Sequence, residues 1–496
     1  MNRMDNIIND NCVYGWKTWA LYGILAACMV LLPPLMVSSG LPSIGSSWET
    51  SSRVFEMFGF CSMAALAVVA YVEFQRRRSA GLIGIVSVVL FVLVFGHIAM
   101  LVSEYTYKSC DYDCYTNAAD AILHGRDPYF GTGYLYPPVL AESIAGAYRV
   151  LVGSAHTFGV KTTDAQVWSY IFYLWQCAQF FLAIAAYLLS MRFVKALGGR
   201  GVLPMLLVAA VFVFNIPLIR ALRWNQANLL MLVAILYVLA MGGKRPWFAG
   251  VMLALGACIK LYPVAILAPA AVTRRWRTLA AFAVALLAII ALDGSLGGRF
   301  DVWRWYYEFS QGFPNGFPLA SVYRDNSLYG IITKSAWFFS VGPSFHNAYA
   351  VAMVLWRILA IVAIIYVAVR AVKREKSFAA CVKSADACET APAETIRFTG
   401  HCMDILALAL VLSPLVWEHH YVLAVPIVLW SIMCRHRRKP WLVGIGSLLI
   451  LLPPSFDVWL FSYHRIVGLA MLIASSSPIV DLVEHQKNID DLQVLG

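Results

Sequence analysis

Apolar runs about 20 residues long, enough to cross a hydrocarbon core about 30 Å thick, recur along nearly the whole chain. Short polar turns separate them, and no stretch is long enough for a large soluble domain. The pattern predicts spans at residues 18–37, 54–72, 80–102, 167–189 and 226–241, the first broken near its end by Pro33 and Pro34. Further spans follow the first run and no small-residue cleavage site is evident, so a retained signal anchor is expected there. Between Lys244 and Arg274 the apolar stretch is too long for one straight span and too short for two. A broken or re-entrant pair hinged at Pro263 fits, since irregular backbone at membrane depth is tolerated where it lines a cavity. Counting every run gives an all-α integral membrane bundle of about 13 membrane segments.

Lys and Arg orient that bundle. Short cytoplasmic loops carry the excess of basic residues, so Arg76, Arg77 and Arg78 after the second span mark the cytoplasmic side. The third run then leads outward, and the segment after it emerges on the external face. Later clusters are Arg192, Lys195 and Arg200; Lys244 and Arg245; Arg274, Arg275 and Arg277; Lys373, Arg374 and Lys376; and Arg435, Arg437, Arg438 and Lys439. If all lie inside, the chain must turn outside at residues 220–228, 260–263, 293–348, 414–421 and 457–465. The organisation expected is N-terminal spans over 1–103, an external catalytic loop with amphipathic helices over 104–165, a cavity-lining bundle over 166–484, and a polar tail over 485–496. Residues 373–397 read as a cytoplasmic linker of little structural content.

The polar residues most unusual for a membrane protein fall in those outward turns, on the same face as the segment 110–138, CDYDCYTNAADAILHGRDPYFGTGYLYPP. They are Arg220, Arg223, Asn225, Gln226 and Asn228 in RALRWNQAN, Lys260 and Tyr262 in CIKLYP, Arg324, Asp325, Asn326 and Ser327 in YRDNS, and Glu418, His419 and His420 in WEHHY. Asp111 opens a short amphipathic helix that stops at Gly125. Asp113, Asp120 and Asp127 read equally well as solvated interface residues, and Arg220 and Arg223 as snorkelling ones. Lys260 is harder to dismiss: inside an apolar stretch a charge costs about 2.5 to 3.5 kcal/mol, which favours a role on an anionic ligand.

Composition agrees with the membrane reading: 60% of residues are hydrophobic and 13% charged, with a mean hydropathy of +0.70. The net charge of +11 sits in the inter-span clusters and reads as topology, with no nucleic acid partner implied. The 11 cysteines are scattered without a CxxC or a histidine at ligand spacing, so no metal site is expected, and Cys110 and Cys114 are expected as free thiols. Asp111-Tyr112-Asp113 spells the D-x-D of nucleotide-sugar enzymes, but its external placement and the lack of a dinucleotide fingerprint set that reading aside. No internal repeat stands out, which argues against many transporter architectures.

Asp111, Tyr112, Tyr115, Ala118, Gly125, Asp127, Pro128, Tyr129 and Tyr136-Pro137-Pro138 together resemble the first-loop pattern of the polytopic mannosyltransferases of glycosyltransferase family 87. Further matches follow in order. Residues 223–228 resemble the family's G-Q-x-N segment with Asn where Gly is usual, residues 259–263 its K-x-x-P element, Asn326-Ser327-Leu328 its N-x-S-L element, and Ser413-Pro414 with Trp417 to His420 its S-P-x-x-W-x-H-H element. The resemblance spans residues 104–425, and the chain departs in carrying three spans ahead of Asp111 where the simplest members carry one. It implies a GT-C type enzyme that takes a sugar, most often mannose, from a polyprenyl phosphate, with Asp111 as the base that activates the acceptor hydroxyl.

Chemistry supports such a reading. A hydroxyl is a weak nucleophile, and a carboxylate in hydrogen-bond reach serves as general base. Cations aimed at the departing phosphate stabilise the charge it gains. The expectation is therefore a multi-pass enzyme of the plasma membrane, embedded in membrane lipids, that moves a hexose from a polyprenyl-phosphate donor to a glycan or glycolipid acceptor on the external face, with inversion and with no cofactor beyond the lipid-linked donor. Arg223, Lys260, His419 and His420 are expected on the donor phosphate, and Tyr115, Asp127, Tyr129, Tyr136, Asn225, Gln226, Asn228 and Asn326 on the sugars. The rival reading is a transporter or flippase of lipid-linked glycans, in which the same cations grip a phosphate without chemistry.

Overall fold

The computed structural model describes residues 15–38, 50–77, 81–104, 110–296, 300–312, 325–339, 344–384, 390–433, 439–454 and 461–476. Within them the chain is helical throughout, with no strand. The N-terminal spans are α1 (Trp16–Ser38), α2 (Thr50–Arg77) and α3 (Gly81–Glu104). Pro33 and Pro34 lie inside α1, which continues past them to Ser38 instead of breaking. Then come the amphipathic α4 (Cys110–Leu123) and α5 (Val139–Thr157), the long span α6 (Asp164–Ala196), and a pair, α7 (Val202–Val213) and α8 (Ile216–Arg223), bent by 45° at Phe214 and Asn215.

The centre of the bundle is built from shorter apolar helices: α9 (Asn228–Met241), α10 (Pro246–Ile259), a 3-10 turn (Tyr262–Ile266) and α11 (Leu267–Val272). After α12 (Trp276–Leu296) come α13 (Asp301–Gly312), α14 (Leu328–Phe339), α15 (Ser344–Ser384) and α16 (Thr390–Leu412). A 3-10 strap (Glu418–Ala424) leads into α17 (Val425–Met433), and α18 (Pro440–Leu451) and α19 (His464–Ser475) close the bundle. By length and apolarity seven described helices are long enough to cross a membrane, or eight with the bent pair. The remainder of the 13 expected segments are shorter than a full span, α9 and α10 among them at 14 residues each. Eight of the ten residues from Leu229 to Val238 in α9 are buried, whereas α10 exposes Trp247, Phe248 and Leu255.

Glycines let neighbouring helices approach closely, as small residues do in membrane bundles. A Cβ on Gly250 of α10 would meet the backbone N of Phe282 in α12 at 2.7 Å. Gly446 of α18 and Gly468 of α19 face each other's carbonyl oxygens, where a Cβ would stand at 2.8 and 2.7 Å.

Two expectations need correction. The region 293–348 is not a plain loop: it contains α13, an amphipathic helix tied back by Trp303 Nε1 donating to Asp293 at 2.8 Å, and α14. The linker proposed at 373–397 is largely helix, because α15 extends to Ser384 and α16 begins at Thr390, with 385–389 outside the described residues. Its charges explain the order. Asp404, buried on α16, holds Arg370 at 3.0 Å and Arg374 at 2.9 Å, while Glu375 takes Arg397 at 2.7 Å and His401 at 2.8 Å. The polar tail 485–496 and the arginines Arg78, Arg324, Arg435, Arg437 and Arg438 lie outside the described residues.

Breaking a buried pair strands a charge and costs about 3 to 5 kcal/mol, whereas an exposed pair contributes about 0 to 1 kcal/mol. Asp404→Ala is expected to lower the thermal unfolding midpoint of the detergent-solubilised protein well beyond Glu308→Ala, whose partner Arg304 is 64% exposed. Equal shifts in a fluorescence melt would contradict this account.

Candidate active site

The turns assigned to one face by the basic-residue ruler meet in a single buried polar cluster, and each is held there by identifiable bonds. At 221–228, α8 ends in a Schellman motif: Asn225 N–H donates to Leu222 O at 3.1 Å and Gln226 N–H to Ala221 O at 2.9 Å. That closure places Asn225 at φ 55°, in the left-handed region that glycine and asparagine enter at least cost. Asparagine, like the glycine usual in the family pattern, enters this angle at little steric cost. Asn225 O also accepts the indole N–H of Trp175 at 3.2 Å.

Beyond the cap, Gln226 and Asn228 turn inward. The Tyr115 hydroxyl donates to Gln226 Oε1 across 3.5 Å, and Gln179 Nε2 donates to Gln226 O at 2.9 Å. The Asn228 amide nitrogen donates to His419 O at 3.2 Å, which aims Asn228 Oδ1 at Lys260 Nζ, 2.9 Å away. Lys260 follows the last residue of α10 in an extended conformation and is 8% exposed. Its Nζ lies 2.7 Å from His420 Nε2 and 4.6 Å from the centroid of the Tyr136 ring.

Residues 413–424 form a strap fixed at both ends. Asp325, fully buried, accepts from Val416 N–H at 2.9 Å and from Ser327 N–H and Oγ–H at 3.0 Å each. Its neighbour Asn326 donates its N–H to Val416 O at 2.6 Å and accepts from Tyr421 Oη at 2.9 Å. Further along, Glu418 is gripped by Arg465 Nη2 at 2.6 Å and Arg220 Nε at 3.4 Å. Flanking these anchors, the Tyr262 hydroxyl donates to Ser413 Oγ at 3.1 Å, and the His419 and His420 rings lie 4.6 Å apart.

Asp111 sits in the first turn of α4, half-buried, beside Gln226 and within electrostatic reach of Lys260. Burial raises its carboxyl to about 6, against the opposing pulls of Lys260 and the Gln226 amide. Its Oδ2 is buried with no hydrogen-bond partner among the described residues. Asp113, two positions on and so about 100° × 2, or roughly 200°, around the helix, is exposed. The D-x-D carboxylates thus do not face one another, and no group of three His, Cys, Asp or Glu able to hold a metal ion occurs among the described residues.

Asp111, Tyr115, Tyr136, Gln226, Asn228, Lys260, His419 and His420 therefore converge. The other candidates surround them. Arg223 is exposed on the last turn of α8, and Asn225 acts through its backbone. Asp127 accepts from Tyr129 N–H at 2.8 Å in an Asx turn, and the Tyr129 ring stacks on Phe309 at 5.1 Å while its hydroxyl donates to Tyr136 O at 3.0 Å. Asn326 belongs to the strap anchor. Cys114 is in no disulfide among the described residues; the Cys110 side chain is not described. Asp325 and Arg465 were not singled out as site residues. The cost of a charge in an apolar run, which marked Lys260, marks the fully buried Arg465 equally.

Two comparisons relate the chain to known proteins. The curated polyprenol-phosphate-mannose-dependent alpha-(1-2)-phosphatidylinositol pentamannoside mannosyltransferase of Mycobacterium tuberculosis (strain CDC 1551 / Oshkosh) is 24% identical over 366 residues, 71% of this chain and 73% of that protein. The profile of Glycosyltransferase family 87 matches residues 165–388, a region that supplies the Asn225–Asn228 cap, Lys260 and the Asp325 anchor to the site. The chain is accordingly read as a membrane glycosyltransferase, similar to Glycosyltransferase family 87 over residues 165–388.

Proposed function

We propose that the protein transfers a hexose, mannose by likeness to the M. tuberculosis enzyme, from a polyprenyl-phosphate donor to a glycan or glycolipid acceptor, on the external face of the plasma membrane and in a GT-C type bundle. The observation that carries the reading is Asp111: a half-buried carboxylate with an unpartnered oxygen, raised to about 6, set against the buried Gln226 and Lys260. Such a group takes a hydroxyl proton near neutral pH more effectively than an ordinary carboxylate does.

In this reaction Asp111 removes the proton as the acceptor oxygen attacks the anomeric carbon. The bond from that carbon to the phosphate oxygen breaks, and its electron pair leaves with the lipid phosphate. Among the described residues the cluster holds no second carboxylate placed to form a glycosyl-enzyme, which supports a single displacement with inversion. Arg223 at the rim, with Lys260, His419 and His420 inside, would receive the phosphate; Tyr115, Tyr136, Gln226 and Asn228 would orient sugar hydroxyls. Asp127, Tyr129, Asn225 and Asn326 would act on the sugars through the elements they brace. The reaction needs no metal or other cofactor in this reading, because the protein's own nitrogen groups face the leaving phosphate.

Two measurements test it. With synthetic polyprenyl-phosphate mannose and an acceptor extract, Asp111→Asn is expected to lower kcat by about 10² to 10⁴ while donor affinity stays within about threefold. Retention of most activity would instead favour a carrier of lipid-linked glycans. In a pH series, kcat/KM should be flat above about pH 7 and fall about tenfold per unit below pH 6, as the base is protonated. A profile unchanged from pH 7 to pH 5 would remove Asp111 from that role.

A further inference from the structure

The hydrogen bonds around Lys260 determine where the protons are. The backbone N–H of Trp417 can only donate, and it points at His420 Nδ1 across 2.9 Å. Nδ1 is therefore an unprotonated acceptor, and the ring carries its proton on Nε2. Turning the ring over would bring a carbon against the Trp417 N–H and lose the bond. Burial also pushes His420 below its ordinary value, in keeping with a ring that carries one proton.

With a proton on Nε2, His420 is a donor toward Lys260 Nζ at 2.7 Å, and Nζ must accept. An ammonium has three donors and no lone pair, whereas a neutral amine has two donors and one lone pair. The remaining contacts match the amine. Asn228 is oriented by its bond to His419 O, so its Oδ1 takes one Nζ–H at 2.9 Å, and the Tyr136 ring face takes the other at 4.6 Å. The titratable groups facing Nζ are Asp111 from α4, Tyr136 from the turn before α5, and His419 and His420 from the strap.

We propose that Lys260 rests as an uncharged amine, held so by the Trp417-locked tautomer of His420, and becomes the ammonium during turnover by taking the proton that Asp111 removes from the acceptor. This deepens the glycosyltransferase reading and rests on it for the turnover step. The balance closes. The acceptor proton moves to the Asp111 carboxylate and then to the Nζ lone pair, the anomeric carbon–phosphate oxygen bond breaks with its electrons going to phosphate, and the new positive charge appears as the phosphate gains its negative one. Protonated Lys260 no longer has a lone pair for His420 and turns toward the phosphate, and the proton leaves with the lipid phosphate.

The resting state is measured without substrate. In full-length protein labelled with 15N-lysine at pH 7.5, one Nζ resonance is expected at the shift of a neutral amine, absent from Lys260→Met and moved to the ammonium position in His420→Phe. Ammonium shifts for every lysine would overturn the proposal, as would a Lys260 resonance that His420→Phe leaves neutral. The turnover step is tested with Lys260→Arg, whose guanidinium stays charged. Donor KM is expected within about threefold of wild type and kcat lower by at least about a hundredfold; an Arg variant with near-normal kcat would mean that a fixed cation suffices. Should the wild type fail to use any polyprenyl-phosphate sugar, the functional reading falls while the resonance still decides the protonation state.

Discussion

The structure turns on the burial of one amino group in an apolar bundle. Lys260 cannot reach water by extending along a helix, because the backbone that carries it is extended at the end of α10 and the residue is 8% exposed. Each of its Nζ contacts must come from protein, and each comes from a different element: Asn228 from the start of α9, His420 from the strap, and Tyr136 from the turn before α5. A buried polar network of this kind is stabilising only when every member is satisfied, so the position of any one of these elements constrains the others.

That requirement accounts for the two anchors on the strap. His420 can face Lys260 only if residues 413–424 are held in place, and helix packing alone does not fix a 3-10 segment. Asp325 secures the strap's entry through Val416, and Arg465 with Arg220 secures Glu418. A lone buried Glu418 would be costly; paired with the fully buried Arg465 it becomes a strut between α8 and the first turn of α19. The helix breaks at 223–228, 259–262 and 412–418 are in the same places as the chemistry because a helix end frees backbone donors and acceptors, and these are what lock Asn228 and His420.

Much of this was legible in the sequence through a physical rule. A polar residue inside an apolar run is expensive, so Lys260, Gln226, Asn228 and the histidine pair stood out, and the spacing of Lys and Arg clusters assigned them to one face. The breaks at Pro263 and in the strap were visible for the same reason. Depth was less visible, since a 14-residue helix shielded by protein, as α9 is, looks like a span when counted by apolarity alone. The order in 373–397 was hidden because its cause is a long-range pairing of Arg374 and Glu375 with Asp404, Arg397 and His401, which no local pattern encodes. Asp127 and Tyr129 illustrate a different limit: a loop motif signals that residues matter without saying whether they touch ligand or brace the loop that does.

In the proposed mechanism the charge state of Lys260 also bears on why a single carboxylate would suffice. A permanent ammonium beside Asp111 would stabilise its anion and weaken it as a base, the pull seen in the direction of its Coulombic effect. A neutral amine removes most of that pull before the reaction, leaving burial to strengthen the base. Once the proton has moved on, the ammonium opposes the phosphate charge that was absent at the start. The same side chain thus interacts weakly with the ground state and strongly with the developing leaving group, which is the differential stabilisation that lowers a barrier. An arginine in this position would hold both states alike and so give the leaving group nothing that the ground state lacks.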